Sequence, residues 1–211
     1  MKNLQNFLNF GFDSMSVLAL DIETKNMSHE IGGFGNTHMF QVSTVATWDG
    51  STGTVYVDEP VDTFAKSGHV VKSLQELKYD LDDHFQKGGE LLGHNIVAFD
   101  LPILRDSMDI YCIHKYLSAK QYIDTSKDLL KGHGERLQLK NLVKHSLDDS
   151  KLMDSADAPK LWKAGRYDEV VEYCMKDTQL VYNLWEYGKE NGIVKAFSIE
   201  KEEFLDLGVD W

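Results

Sequence analysis

The apolar positions of this chain fall into short runs broken by polar turns, and the first clear run is Val17, Leu18, Ala19 and Leu20, ending in Asp21 and Glu23. Consecutive apolar positions fit a strand covered on both faces in the middle of an α/β sheet. Strand alternation then points Asp21 and Glu23 to one face. Positions 41–48 (QVSTVATW) and 52–58 (TGTVYVD) are rich in β-branched and aromatic residues and are separated by Asp49-Gly50, a hairpin signal. The three strands predict an antiparallel meander with the acidic strand at its inner edge.

Beyond the meander the period changes. Leu74, Leu77, Leu81 and Phe85 recur at helical spacing over 72–87, and Gly88-Gly89 stops that helix. A strand over 90–94 leads through Asn95 and Phe99 into a helix near 101–107, with Pro102 in its first turn. A fifth strand is expected over 122–124, a helix around Leu137, Leu139, Leu142 and Val143, a short element over 158–165, and a long helix over about 167–189. Residues 25–40, with Gly32, Gly33 and Gly35, read as a long loop whose Phe34, Met39 and Phe40 either meet a ligand or pack on the core. The reading is one α/β domain over 16–190. An amphipathic lead-in over 1–15 (Leu4, Phe7, Leu8, Phe12) precedes it, and a tail over 191–211 without clear period follows, packing on the domain or docking a partner.

Composition narrows the class. With 211 residues, 42% hydrophobic and 27% charged, the chain suits one well-buried globular domain. No apolar run approaches membrane-spanning length and the first residues lack the pattern of a secretory signal, so a cytoplasmic protein without a membrane is expected. Two cysteines, Cys112 and Cys174, form no CxxC and are expected as buried thiols. A net charge of −12 argues against a broad electrostatic footprint on nucleic acid, though not against a local site.

Asp21 and Glu23 are joined by two more acids in positions fit for chemistry: Asp100 at a strand-to-helix junction and Asp177 on the last helix. Tyr173 lies one helical turn before Asp177, on the same face. Carboxylates crowded against a sheet repel one another, and a divalent cation is the simplest compensation. Taken singly, Asp100 also reads as a helix cap and Tyr173 as a half-buried aromatic. Asn95 either holds the junction turn or reaches a substrate, His94 is the histidine best placed to line a site, and Asp124 reads as structural.

Taken together, Asp21-x-Glu23, Asn95-xxx-Phe99-Asp100 and Tyr173-xxx-Asp177 resemble the three exonuclease motifs of the DEDD superfamily, in the branch with tyrosine in the third motif. That branch includes the proofreading domains of family A and family B DNA polymerases. The other branch has histidine five residues before the last aspartate, where this chain has Glu172. The resemblance implies an RNase H-like fold: a mixed five-stranded sheet, three antiparallel strands then two further ones, flanked by helices. It implies a 3′→5′ exonuclease that releases nucleoside monophosphates from single-stranded or frayed ends, DNA favoured, in replication or repair. Asp21, Glu23, Asp100 and Asp177 are implied as ligands of two Mg²⁺ or Mn²⁺ ions and, with Tyr173, as the catalytic set. Thr24, His94, Asn95 and Phe99 are implied as substrate contacts. A polymerase or other replication protein is the expected partner, and an inactive exonuclease-like interaction module is the alternative.

Overall fold

A computed structural model describes residues 16–64, 68–150 and 155–211. The expected lead-in helix over 1–15 lies outside the described residues. The chain runs β1 (Val17–Thr24), β2 (Val42–Trp48), β3 (Gly53–Val57), β4 (Val70–Ser73), α1 (Leu77–Gln86), β5 (Glu90–Gly93), α2 (Asp100–Ser107) and α3 (Cys112–Ala119). It continues through β6 (Tyr122–Asp124), α4 (Thr125–His133), α5 (Leu139–Ser146), α6 (Ala158–Lys163), α7 (Tyr167–Asn191), β7 (Ile193–Ser198) and β8 (Glu203–Gly208).

The fold is α/β: a mixed six-stranded sheet in the order β4-β3-β2-β1-β5-β6, flanked by helices. The meander β1-β2-β3 is antiparallel, as the hairpin signal predicts, whereas β4 joins β3, β5 joins β1, and β6 joins β5 in parallel. The expected five strands become six because β4 was not legible. Its core of Val70 and Val71 is too short and too polar at its flanks to register as a strand, and it gains its pairing only at the sheet edge. The helices α3 and α4 also exceed the sequence reading. The tail, which has no helical period, forms the β7–β8 hairpin.

Alternation along β1 sorts the two faces. Leu18, Leu20 and Ile22 enter a cluster with Leu77 and Leu81 of α1, Leu101, Ile103 and Leu104 of α2, and Ile113 and Tyr116 of α3. Val17 and Ala19 face the opposite layer, where Leu142 and Val143 of α5, Leu180 and Leu184 of α7, and Val194, Ala196 and Leu207 of the hairpin pack together. A third cluster joins Ala46 and Val55 of the meander to Trp162 of α6 and to Val170, Val171 and Tyr173 of α7. The long helix therefore crosses behind β1, with its middle turns over the strand's acidic end.

Parallel pairing of β1 with β5 stops at Ala19↔Leu92, while pairing with β2 continues to Thr24. Past Gly93 the chain leaves the sheet, and Ile96 folds back so closely that a β-carbon on Gly93 would sit 2.6 Å from Ile96 Cβ. Glycine is required there by close approach. Gly93→Ala is expected to lower stability by about 1–3 kcal/mol through overpacking, read from the urea midpoint at unchanged slope; a neutral effect would show that the turn relaxes freely.

Candidate active site

The half of β1 beyond Ala19 borders a cleft of about 460 Å³. All nine residues implied by the resemblance line it: Asp21, Glu23, Thr24, His94, Asn95, Phe99, Asp100, Tyr173 and Asp177. Its described lining includes four carboxylates and no Lys or Arg. Glu23, Asp100 and Asp177 are buried, and Asp21 is partly exposed.

Each acid arrives on a different element. Asp21 and Glu23 share a face of β1, opposite the small residues Ala46 and Thr44 of β2. Asp100 is the first residue of α2, not its cap. Burial first, and the Asp21 carboxylate second, push it well above the ordinary carboxylate value of 3.8; backbone N–H groups of Asp100 and Ile22 offset part of this. Asp177 stands one turn beyond Tyr173 on α7. Burial raises the Tyr173 phenol far above its usual range, followed by the charges of Asp177, Glu23 and Asp21, so the hydroxyl stays protonated. The phenol is wholly buried: its body packs in the third cluster.

Cys174 follows Tyr173, and its thiol points to Asp21, 3.5 Å from the backbone oxygen and 3.8 Å from Oδ2. Burial, then the charges of Asp21, Glu23 and Asp177, holds it as a neutral thiol well above its usual range. The donors offered by the cleft are therefore hard carboxylate oxygens, a set suited to Mg²⁺ or Mn²⁺ and not to a soft metal. Among the described residues no three Asp, Glu, His or Cys side chains are already arranged to hold a metal ion. The acids face a common space without closing into a cage.

Asp124 is the residue that shapes this end of the site. Its Oδ1 accepts from the backbone N–H of Asn95 at 2.9 Å and its Oδ2 from that of Val97 at 3.0 Å. Its Oδ1 also accepts from Lys127 N–H at 3.1 Å, capping α4. Asn95 sits at φ +70°, in the left-handed region that asparagine tolerates. Asn95 holds the junction turn, and its side chain lines the cleft.

His94 and Thr24 line the cleft but spend their polar atoms elsewhere. The His94 Nε2 donates to the Leu137 carbonyl at 3.0 Å, and its Nδ1 is hydrogen-bonded with the Thr125 hydroxyl at 2.9 Å. His94 lines the cleft and ties β5 to the segment before α5. The Thr24 hydroxyl donates to the Asn26 carbonyl at 2.8 Å. Glu172 is exposed and faces His69 at 3.3 Å, away from the cleft.

The expected loop over 25–40 is an ordered excursion with two short 3₁₀ turns. Asn26 clamps its ends, donating to Met39 O at 2.9 Å and accepting from Gln41 N–H at 3.0 Å. Phe40 is buried and meets Phe99 edge-on at 5.6 Å; Phe34, 67% exposed, meets Phe99 at 5.9 Å. Met39 is exposed and outside the cleft lining. The loop thus supplies one aromatic to the core and one to the lip.

Among the described residues no helix is long and apolar enough to cross a membrane.

Asp100 also governs a pH dependence. In the folded, metal-free protein it keeps a proton at pH values where the unfolded chain has released it. Its favourable contribution is complete below the unfolded value and is lost as pH rises through the folded one. Asp100→Asn, which cannot ionise, is expected to stabilise the chelator-treated protein by about 0.5–2 kcal/mol at pH 8. The gain should shrink toward pH 4, as read from paired urea titrations. A destabilised variant at pH 8 would show that the carboxylate is ionised and well solvated.

Comparison of the chain with protein-family models and with curated proteins returns no match.

Proposed function

We propose that this protein is a metal-dependent 3′→5′ exonuclease of the DEDD superfamily, tyrosine branch, on an RNase H-like fold. The observation that carries the reading is that four acids from three distant stretches of sequence, with Tyr173, line one cleft at the end of the central strand. Further support comes from the strand order β3-β2-β1-β5-β6, which accommodates the three antiparallel strands and two further ones that the resemblance implies, with β4 added at the edge.

Asp21, Glu23, Asp100 and Asp177 are the residues to hold two divalent cations, which when bound supply charge compensation at the phosphoryl oxygens and lower the pKa of water. Bound cations would also oppose the burial, first, and the Asp21 charge, second, that hold a proton on Asp100. Tyr173 cannot serve as general base, because its phenol is held protonated; its role is to orient the attacking water through the hydroxyl. Water adds to phosphorus, the bond from phosphorus to the 3′ oxygen of the preceding nucleotide breaks, and a nucleoside 5′-monophosphate leaves. Phe34 and Phe99 give the terminal base an aromatic edge and face at the lip.

The test is hydrolysis of 5′-labelled single-stranded DNA and RNA of matched sequence with Mg²⁺ or Mn²⁺, with DNA the better substrate. Asp21→Ala and Asp177→Ala are expected to lower kcat by about 10²–10³ or more, and Tyr173→Phe by roughly 10–100-fold. Undiminished cleavage by either alanine variant would remove the site.

A second reading, an exonuclease-like module that docks a replication protein without turnover, is favoured by one observation: no three-ligand cage is preformed among the described residues. Calorimetric titration with Mn²⁺ separates the two. Two-site binding lost in Asp177→Ala supports the enzyme, and no binding with no turnover supports the module.

A further inference from the structure

A polyanion gains no attraction from a cleft of four carboxylates on a chain of net charge −12. If the exonuclease reading holds, strand affinity must come from a local basic surface, since phosphate neutralisation dominates such binding. Among the described residues a groove of that character is present. It lies between α5 and the β7–β8 hairpin, with a volume of about 1030 Å³, larger than the acidic cleft.

One side of the groove carries Arg136, Lys140, Lys144 and His145, with Lys140 and Lys144 one turn apart on the exposed face of α5. Among the described residues neither Arg136 nor Lys144 has an acidic partner. Of the acids at the groove, Glu135 is engaged by the Ser198 hydroxyl at 3.0 Å, and Glu200 sits at the hairpin turn. The other side is aromatic and apolar. Phe197 and the 82% exposed Ile199 line it, and Phe204, 74% exposed, stands just outside the lining, edge-on to Phe197 at 5.1 Å and to His145 at 5.4 Å.

The groove and the cleft share a wall. His94 lines the cleft and donates to the carbonyl of Leu137, which lines the groove. Ser150 borders the groove and Ala156 the cleft.

We infer that the groove between α5 and the β7–β8 hairpin is the track along which a single-stranded nucleic acid reaches the acidic cleft. Its phosphates lie along Arg136 and Lys144, and its bases stack beside Phe204 and Phe197. Cations opposite exposed rings are the arrangement that binds single strands without sequence preference. This inference rests on the exonuclease reading for its destination, while its binding element stands apart from the chemistry.

The experiment compares the full chain with Arg136→Glu/Lys144→Glu and with Phe204→Ala. The substrates are a deoxythymidylate strand of about 20 nucleotides, longer than the ~4–16 nucleotides that such platforms cover, and a dinucleotide that fills the cleft alone. The charge reversals are expected to lower kcat/KM on the long strand at least about tenfold relative to the dinucleotide. In the Asp21→Ala background, fluorescence anisotropy should show weaker binding of the long strand. The slope of log K against log salt should be shallower by about 1.4, from two lost phosphate contacts at ~0.7 each. Phe204→Ala should weaken binding with the salt slope retained, and because Phe204 is exposed its melting temperature should stay near that of the parent.

An unchanged ratio of long to short turnover, or equal competition by poly-glutamate of matched charge, overturns the track. Should the parent cleave neither substrate, the exonuclease reading falls and anisotropy alone decides. Binding that depends on Arg136, Lys144 and Phe204 then keeps the groove as a single-strand site, and binding indifferent to them overturns it.

Discussion

Hydrogen bonding between β1 and β5 ends at Ala19 and Leu92, whereas β1 runs on to Thr24 against β2 alone. This mismatch in length opens the cleft, and it has a specific cause. Gly93 permits the close return of Ile96, and both carboxylate oxygens of Asp124 take the backbone donors of the turn, fixing Asn95 in a left-handed conformation. Charge-assisted bonds to backbone N–H groups are among the stronger hydrogen bonds available. They bring the first turn of α2, and so Asp100, to the free side of β1 opposite Asp21. Asp124 therefore positions the site through the turn, while its own charge adds to the burden on Asp100.

The acids are held together by apolar packing on every side. Leu20 and Ile22 alternate with Asp21 and Glu23 and anchor the strand in the cluster beneath α2 and α3. On the opposite face, Val170, Val171, Leu180 and Leu184 clamp α7 at both ends, so that Tyr173, Cys174 and Asp177 between them are forced against β1. Like-charge repulsion in the middle is tolerated because packing at the ends offsets it. Sites that oppose the stability of their own fold are where local rules are broken for function.

How much of this was legible depended on whether the signal was local. The meander was, because β-branched runs flank Asp49-Gly50, and the facing of Asp21 with Glu23 follows from strand alternation alone. The convergence of Asp100 and Asp177 on the same cleft followed from the motif pattern, not from any period in the chain. Strand β4 was hidden because two valines among polar residues become a strand only when β3 offers an edge. The tail was unreadable as an element because Val194 and Ala196 pack in one cluster with residues of α5, far away in sequence, as well as of α7. His94 marked the site correctly as a lining residue, but its partners Thr125 and Leu137 belong to segments whose approach no sequence pattern announces.

The two electrostatic characters of the molecule need not conflict. At physiological salt the Debye length is about 8 Å, so an exposed phosphate answers to the side chains within reach and little to the net charge of −12. Buried carboxylates are screened least, which makes the cleft selective for whatever brings positive charge into it. A basic groove tied to that cleft by the hydrogen bond from His94 to Leu137 would, on the proposed function, allow affinity and chemistry to be set independently. On the proposed function, Lys144 and Arg136 would act on the length of strand outside the cleft, and the acids on its end. On this division, the positive charge that would hold a polyanion is confined to one short helix and the segment before it.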